Sequence, residues 1–281
     1  MFSLMAIHAH PDDEASKGAA TMAKYVAAGH RVHVVTCTGG ERGDILNPGI
    51  DKPGVLENMA AIRREEMAES ARILGVEHTW LGFVDSGLPE GDPLPPLPEG
   101  SFATQPLDVP ANELVRVIRQ VRPDVLITYD EQGGYPHPDH IMTHQISMRA
   151  WELAGDHGYR PDLGEAWEPK KLYYVHGFLF GRLRALQEEM VREGLLEKVE
   201  ELPRHREDIS ARITTQVECA EFFQVRDSAL RAHSTQIDPK GRFFSIPLEI
   251  QRRVWPTEEF ELAATRVRTQ LPEDDLFAGL Q

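Results

Sequence analysis

Two short stretches concentrate side chains that hold metals and move protons. His8-Ala9-His10-Pro11-Asp12-Asp13-Glu14 puts two histidines and three acidic residues into seven positions. A second charged run opens at Tyr129 and ends Tyr135-Pro136-His137-Pro138-Asp139-His140. Burying so many ionisable groups with nothing to bind is costly, so a divalent metal is the first chemistry to consider. Catalytic zinc takes three protein ligands from histidine and carboxylate and keeps a position for water. His10 and Asp13 can converge on one ion, with His140 a natural third. His140 and His144, at i and i+4, form the other possible pair, and spacing does not decide between them. A metal lowers the pKa of a bound water enough to make it a nucleophile at neutral pH. Asp12, beside Asp13, is a candidate base. His137 and Tyr135 are candidate donors to a tetrahedral oxyanion, and Asp139 can hold the His137 ring in one tautomer. The inventory suits metal-assisted hydrolysis of an amide or ester. Two histidines and a carboxylate also suit ferrous iron in an oxygenase.

The surrounding elements explain how stretches more than a hundred residues apart could meet. Leu4 to His8 reads as a buried strand, Ala15 to Ala28 as a helix stopped by Gly29, and Arg31 to Thr36 as a second strand. Strand, helix and strand over this length predict a parallel βαβ unit. Asn58 to Leu74 has helical spacing closed by Gly75. His78 to Leu81 and Asp124 to Thr128 read as strands, with the helix Ala111 to Val121 between them. Both charged runs therefore follow strands, at the sheet edge where open α/β folds bind ligands. The prolines forbid regular structure until about Asp139, a candidate N-cap for a helix from His140 to about Ala154. Leu172 to Val175 reads as a fifth strand. Gly181 to Glu193, Val217 to Ala232 and Pro256 to Arg266 read as helices, with a loop from Thr235 to Phe244. The pattern predicts an α/β fold with a mostly parallel sheet flanked by helices. It is read as one domain over residues 1–281, with a core sheet over roughly 1–180 and an α-rich addition over roughly 181–281. Gly194 to Arg212 carries no functional signal.

Other stretches narrow the function classes. The loop Thr38-Gly39-Gly40-Glu41-Arg42-Gly43-Asp44 lacks the dinucleotide fingerprint and opens no helix, so it reads as a site-lining loop rather than a phosphate cradle. Gly82 to Pro110 is long and rich in proline and glycine, which predicts a lid or a site wall. The formal net charge of -15 argues against nucleic acid and anionic membranes as partners. No apolar run approaches the length of a membrane span. Two cysteines, Cys37 and Cys219, make no disulfide framework, and with Met1 leading straight into the first strand no signal peptide is expected. A reduced cytoplasm is the expected location, with both thiols inert and at least partly buried.

His10-Pro11-Asp12-Asp13-Glu14 joined to His137-Pro138-Asp139-His140 resembles the signature of the LmbE/PIG-L superfamily of zinc-dependent N-deacetylases. HAHPDDEASKGAAT, TGGERGDILNP, LGVEHTWLGFVDSGLP, YDEQGGYPHPDH, KLYYVHGF and WPTEEFELA extend the resemblance over nearly the whole chain. It implies a Rossmann-like sheet and one Zn2+ per subunit on His10, Asp13 and His140, with Fe2+ as the other metal that fits. It implies Asp12 as general base. It implies His137, oriented by Asp139, as the group that stabilises the oxyanion or protonates the leaving amine. Tyr135 falls where the family has a mobile tyrosine that polarises the substrate carbonyl. Arg63 and Asp85 fall on positions that contact a sugar-inositol; the alternatives are a surface ion pair for Arg63 and a turn-stabilising role for Asp85. Lys17 matches the branch that cleaves the amide between the cysteine of a mycothiol S-conjugate and glucosaminyl-inositol. The deacetylase of N-acetylglucosaminyl-inositol carries a small polar residue there. A flexible cation at the site mouth could contact a larger acyl group; the other reading is a solvated first-turn lysine. The implied substrate is thus a small molecule, with that deacetylation as the alternative. His8 and His144 read as supporting or structural histidines, and Glu14 as a partner of the site rather than a ligand.

Overall fold

A computed structural model describes residues 1–50, 52–199 and 208–281. Its sheet has seven strands: β1 (Ser3–His8), β2 (Arg31–Thr38), β3 (Glu77–Phe83), β4 (Val125–Thr128), β5 (Lys171–His176), β6 (Thr215–Glu218) and β7 (Thr257–Thr265), in the order β3-β2-β1-β4-β5-β7-β6. β1 is buried along its whole length, as a continuous apolar run between two helical layers requires. Leu4 and Ala6 point to one layer, with Met22 of α2 (Ala19–Ala27), Met67 of α4 (Met59–Leu74) and Leu230 of α8 (Phe223–Ala232). Met5 and Ile7 point to the other, with Leu114 and Ile118 of α5 (Asp108–Val121) and Ile146 of α6 (Pro138–Leu153).

β1 to β5 run parallel, as the βαβ pattern predicts. The chain lays β2 and β3 on one side of β1, then returns to place β4 on the other: Ala6 pairs with both Val34 and Ile127. The order reverses between β1 and β4, and at such a switch point the loops leaving the strands diverge and open a crevice. The two charged stretches are the loops after β1 and β4.

The structure corrects four local expectations. The helix expected over Ala15 to Ala28 is two, α1 (Asp13–Ser16) and α2, separated at Lys17 and a left-handed Gly18 (φ 81). The break exposes the first amides of α2 to Glu258, which accepts from Ala20 N–H at 3.3 Å and Thr21 N–H at 2.8 Å. An acidic group is favoured at that end of a helix. The N-cap of α6 is His137 rather than Asp139, with Pro138 in the first helical position. Val217 lies in β6, so the helix there, α8, begins only at Phe223. Pro256 to Arg266 is not helical. Thr257–Thr265 is strand β7, antiparallel to both β5 and β6, with Val175 opposite Phe260 and Val217 opposite Glu258. Its glutamates, leucine and alanines favour a helix in isolation; the unpaired edge of β5 and the burial of Phe260 outweigh that preference. The segment after β5 is α-rich, with α7 (Phe180–Arg192), α8 and α9 (Leu248–Val254), and it also supplies two strands. The short α3 (Lys52–Leu56) was not anticipated. Residues 200–207, within the stretch without functional signal, lie outside the described residues.

The C-terminal tail locks onto the sheet through one buried pair. Lys171 Nζ lies 2.5 Å from Glu273 Oε1, with both side chains fully buried, and the Tyr173 and Thr215 hydroxyls donate to Glu273 Oε2. Removing one partner of such a pair leaves an uncompensated charge. Glu273→Ala is therefore expected to lose about 3–5 kcal/mol in denaturant unfolding, and the double variant Lys171→Met/Glu273→Leu markedly less. A single-variant loss below about 1 kcal/mol, the level of an exposed pair, would contradict this.

Candidate active site

β1 delivers His10 and α1 delivers Asp13 to the switch point, while the first turn of α6 brings His140 from the other side. One donor atom of each lies within 4.8 Å of the others, and all three residues are buried. His140 Nε2 is 3.4 Å and His10 Nδ1 3.6 Å from the same oxygen, Asp13 Oδ2. His140 Nδ1 sits 2.9 Å from the Gly133 carbonyl, which places the proton on Nδ1. Nε2 then presents a lone pair; it is buried and has no hydrogen-bond partner. A buried imidazole held by a carbonyl behind it, with its other nitrogen free, is the arrangement of a metal ligand. Gly133 makes it possible: its φ is +70, and an added Cβ would lie 2.6 Å from that of His140. Tyr129 orients the carboxylate, its hydroxyl donating to Asp13 Oδ2 at 2.7 Å and accepting from Ala9 N–H at 2.9 Å.

A second triple, His10, His137 and Asp139, also clusters. There, however, His137 Nδ1 accepts from Asp139 N–H at 3.1 Å, and Asp139 Oδ2 accepts from Ser86 N–H at 2.9 Å. The first triple, with its free His140 nitrogen, is the better metal holder. His144 does not join it, since its Nδ1 faces the Tyr129 carbonyl at 3.1 Å. Burial alone would lower the His10 pKa, but hydrogen bonds with Asp13, Asp139 and Asp85 hold it well above the usual range. Burial alone would raise Asp13, but Lys17 and His140 hold it well below its usual range. Positive charge is favoured at this point, so the residues fit a divalent cation.

Asp12 and Asp13 are adjacent but differently placed. Asp12 adopts φ 104, the left-handed region that a non-glycine residue enters at a cost of about 1–3 kcal/mol. The conformation is clamped by Glu14, whose Oε2 accepts from Asp12 N–H at 2.9 Å. Glu14 Oε1 in turn accepts from the Ser70 hydroxyl at 2.5 Å and meets His233 Nε2 at 2.6 Å. The turn leaves the Asp12 side chain 26% exposed, against 5% for Asp13. Burial raises the Asp12 pKa, opposed by Arg63 and assisted by Asp13. A carboxylate shifted toward neutral pH is a better proton acceptor.

His137 stands beside His10, with ring centroids 4.6 Å apart. Burial, then the nearby His10 and His140, lowers its pKa to about 3, so it is neutral at pH 7. Because Nδ1 accepts from the Asp139 backbone amide, the ring proton is on Nε2. The tautomer is thus fixed through the Asp139 main chain, while the Asp139 carboxylate faces His10 Nε2 at 3.2 Å. Tyr135, 38% exposed, places its ring against His140, 4.6 Å between centroids.

The remaining candidates also reach this crevice. Lys17 is not a solvated lysine: its ammonium is 2.5 Å from Asp13 Oδ1. Arg63 is not a surface ion pair. It is 3% exposed, donates to the Gly40 and Pro11 carbonyls, and sits 3.6 Å from Asp12 Oδ2. A side chain at Gly40 would collide with that guanidinium, so the glycine loop is shaped around Arg63. Asp85 does stabilise a turn, its Oδ1 accepting from Gly87 N–H at 2.8 Å, and the same oxygen lies 3.6 Å from His10 Nε2. The Gly82 to Pro110 segment is a wall at Asp85 and Ser86, pinned by Phe102 N–H to the Val84 carbonyl at 2.8 Å. Glu14 supports the turn as expected, and His8 is a buried histidine against Tyr129. Cys37 and Cys219 are free and buried. Tyr129, Gly133, Ser70 and His233 were missed as site residues. Only Tyr129 and Gly133 carried a signal, by lying inside the second charged run.

A doubly wound sheet carries at its switch point a His-Asp-His cluster that could hold a metal ion, flanked by a strained aspartate. The chain belongs to the GlcNAc-PI de-N-acetylase (PIG-L) family of amide hydrolases, whose sequence model matches residues 5–151. It is 57% identical to the mycothiol S-conjugate amidase of Streptomyces coelicolor, over 99% of this chain and 97% of that one. It is 39% identical to the 1D-myo-inositol 2-acetamido-2-deoxy-alpha-D-glucopyranoside deacetylase of Geodermatophilus obscurus, over 99% and 97%. The N,N'-diacetylchitobiose deacetylase of Pyrococcus horikoshii shares the fold, with a TM-score of 0.65 at 19% identity over 92% of this chain and 83% of that one. Among the described residues no helix is long and apolar enough to cross a membrane.

Proposed function

We propose that this protein is a zinc amidase that cleaves the amide joining the cysteine of a mycothiol S-conjugate to glucosaminyl-inositol. The products are an N-acetylcysteine S-conjugate and glucosaminyl-inositol, and the role is detoxification of electrophiles in the cytoplasm. The observation that carries the substrate is the end-to-end 57% identity to the Streptomyces coelicolor amidase. His10, Asp13 and His140 hold the metal, which supplies Lewis acidity and a water of lowered pKa. Asp12, the more accessible of the two adjacent carboxylates, takes the proton of the attacking water. His137, neutral and protonated on Nε2, donates to the oxyanion that forms as the carbonyl is attacked, and Tyr135 polarises the same carbonyl. Asp139 holds the His137 tautomer through its amide. Arg63 and Asp85, flanking Asp12 and His10, border the sugar-inositol side. The family and its amidase and deacetylase members support hydrolysis, and nothing among them supports an oxygenase.

Deacetylation of N-acetylglucosaminyl-inositol is the second reading, favoured by the deacetylase relative at 39% identity. Both substrates present the same sugar-inositol amide and differ in the acyl group, the part that Lys17 would meet in this reading. Lys17→Ser is expected to lower kcat/KM for a mycothiol S-conjugate about tenfold more than for the acetylated sugar, the scale of one lost charged hydrogen bond. Equal losses on the two would remove Lys17 from acyl recognition.

A further inference from the structure

A cavity of about 190 Å³ lies at the same sheet edge, lined by Lys17 and Gly18 at the α1–α2 break, the end of β5, residues of α7 and α8, and Gln251 of α9. The antiparallel β7 brings Glu259 opposite His176, so the end of β5 and the start of β7 share this edge with the metal cluster. Lys17 connects the two places. Its ammonium touches Asp13, and its stem passes Gly177, where an added Cβ would sit 3.7 Å from Lys17 Cγ. One part of the wall is apolar, with Leu179, Leu183, Phe243 and Ile246, and the rest carries charged side chains that include Arg182, Arg226 and Arg242. A dry cavity of about 150 Å³ admits a benzene ring, so this one has room for a group of that size. Its lining holds a carboxylate oxygen short of a hydrogen bond. Glu259 is 1% exposed; its Oε1 accepts from Trp255 and Thr257, while Oε2 has no hydrogen-bond partner and faces the Arg182 guanidinium at 3.8 Å. Such an atom favours a ligand that brings an N–H.

We propose that this cavity receives the S-substituted N-acetylcysteine half of the conjugate, with the apolar S-substituent against Leu179 and Leu183 and the acetamido N–H turned to Glu259. The assignment rests on the amidase reading and adds where selectivity for the S-substituent resides. An acetyl group is too short to enter, so deacetylation does not use the cavity. Leu183, half-buried on α7, allows it to be filled.

Leu183→Trp is expected to lower kcat/KM for an S-benzyl conjugate about tenfold or more, the effect of misfit in an apolar pocket. An S-methyl conjugate and N-acetylglucosaminyl-inositol should stay within about twofold. N-Acetyl-S-benzylcysteine, titrated calorimetrically into the protein without added metal, should bind wild type and lose its heat in the variant. Equal loss on both conjugates, an unchanged S-benzyl rate, or binding that survives Leu183→Trp would overturn the assignment. If wild type cleaves neither conjugate, the amidase reading fails, and the calorimetric pair alone decides the cavity. If circular dichroism shows Leu183→Trp unfolded, Leu183→Ala takes its place, with S-naphthylmethyl expected to gain over S-benzyl; a ratio unchanged or reversed would overturn the assignment.

Discussion

Asp12→Asn is expected to lower kcat by about 10²- to 10⁴-fold, the usual contribution of a general base, while metal content by mass spectrometry stays at the wild-type value. Asparagine is the informative substitution because Asp12 adopts φ 104. Asparagine is among the few non-glycine residues that tolerate left-handed backbone, so the backbone clamp from Glu14 can persist. Only the ability to take a proton is removed. Asp13 offers no replacement: it lies deeper, receives the Tyr129 hydroxyl, and is held by Lys17 and both histidines of the cluster. A variant that keeps near-full turnover would show that the base is elsewhere. A variant that loses its metal would show that Asp12 is a ligand.

His140→Ala is expected to lose both metal and activity. The substitution removes the Nε2 lone pair that faces Asp13 Oδ2 at 3.4 Å, and with it one of the three proposed ligands. With no metal the attacking water keeps its bulk pKa near 15.7, against about 7 when activated, so a fall in kcat on the order of 10⁴-fold or more follows. His144→Ala is the matched control. Its ring faces the Tyr129 carbonyl and adds nothing to the cluster, so metal content should be unchanged. Stoichiometric metal in His140→Ala would assign the ion to the neighbouring triple of His10, His137 and Asp139.

The parts of the fold that position the site were readable because their physics is local. β1, β2, β4 and β5 are short apolar runs bounded by turn residues, and their spacing dictates a parallel sheet. With the strands placed, the charged stretches after β1 and β4 had to share an edge. Reading failed where distant partners decide. β7 is rich in helix formers and is a strand because it pairs with β5 and β6 and buries Phe260. The break at Gly18 depends on Glu258, more than two hundred residues away, capping the helix that follows. His233 reaches Glu14 from the end of α8, and no pattern near either residue announces the pair. Asp139 was expected to hold the His137 ring, and the contact it makes is through its main-chain amide, because His137 caps α6 and so places its ring over the first helical N–H groups. Sequence types a residue's chemistry; which of its atoms is used depends on a turn geometry that composition does not encode.

The central claim is tested most directly by measuring amine release from a mycothiol S-conjugate by the zinc-loaded protein, beside N-acetylglucosaminyl-inositol under the same conditions. Much faster cleavage of the conjugate is the expected result and establishes the amidase. Preference for the acetylated sugar would contradict the substrate assignment while leaving the metal site in place. Release of amine from neither would mean that the same chemistry serves a different acyl group.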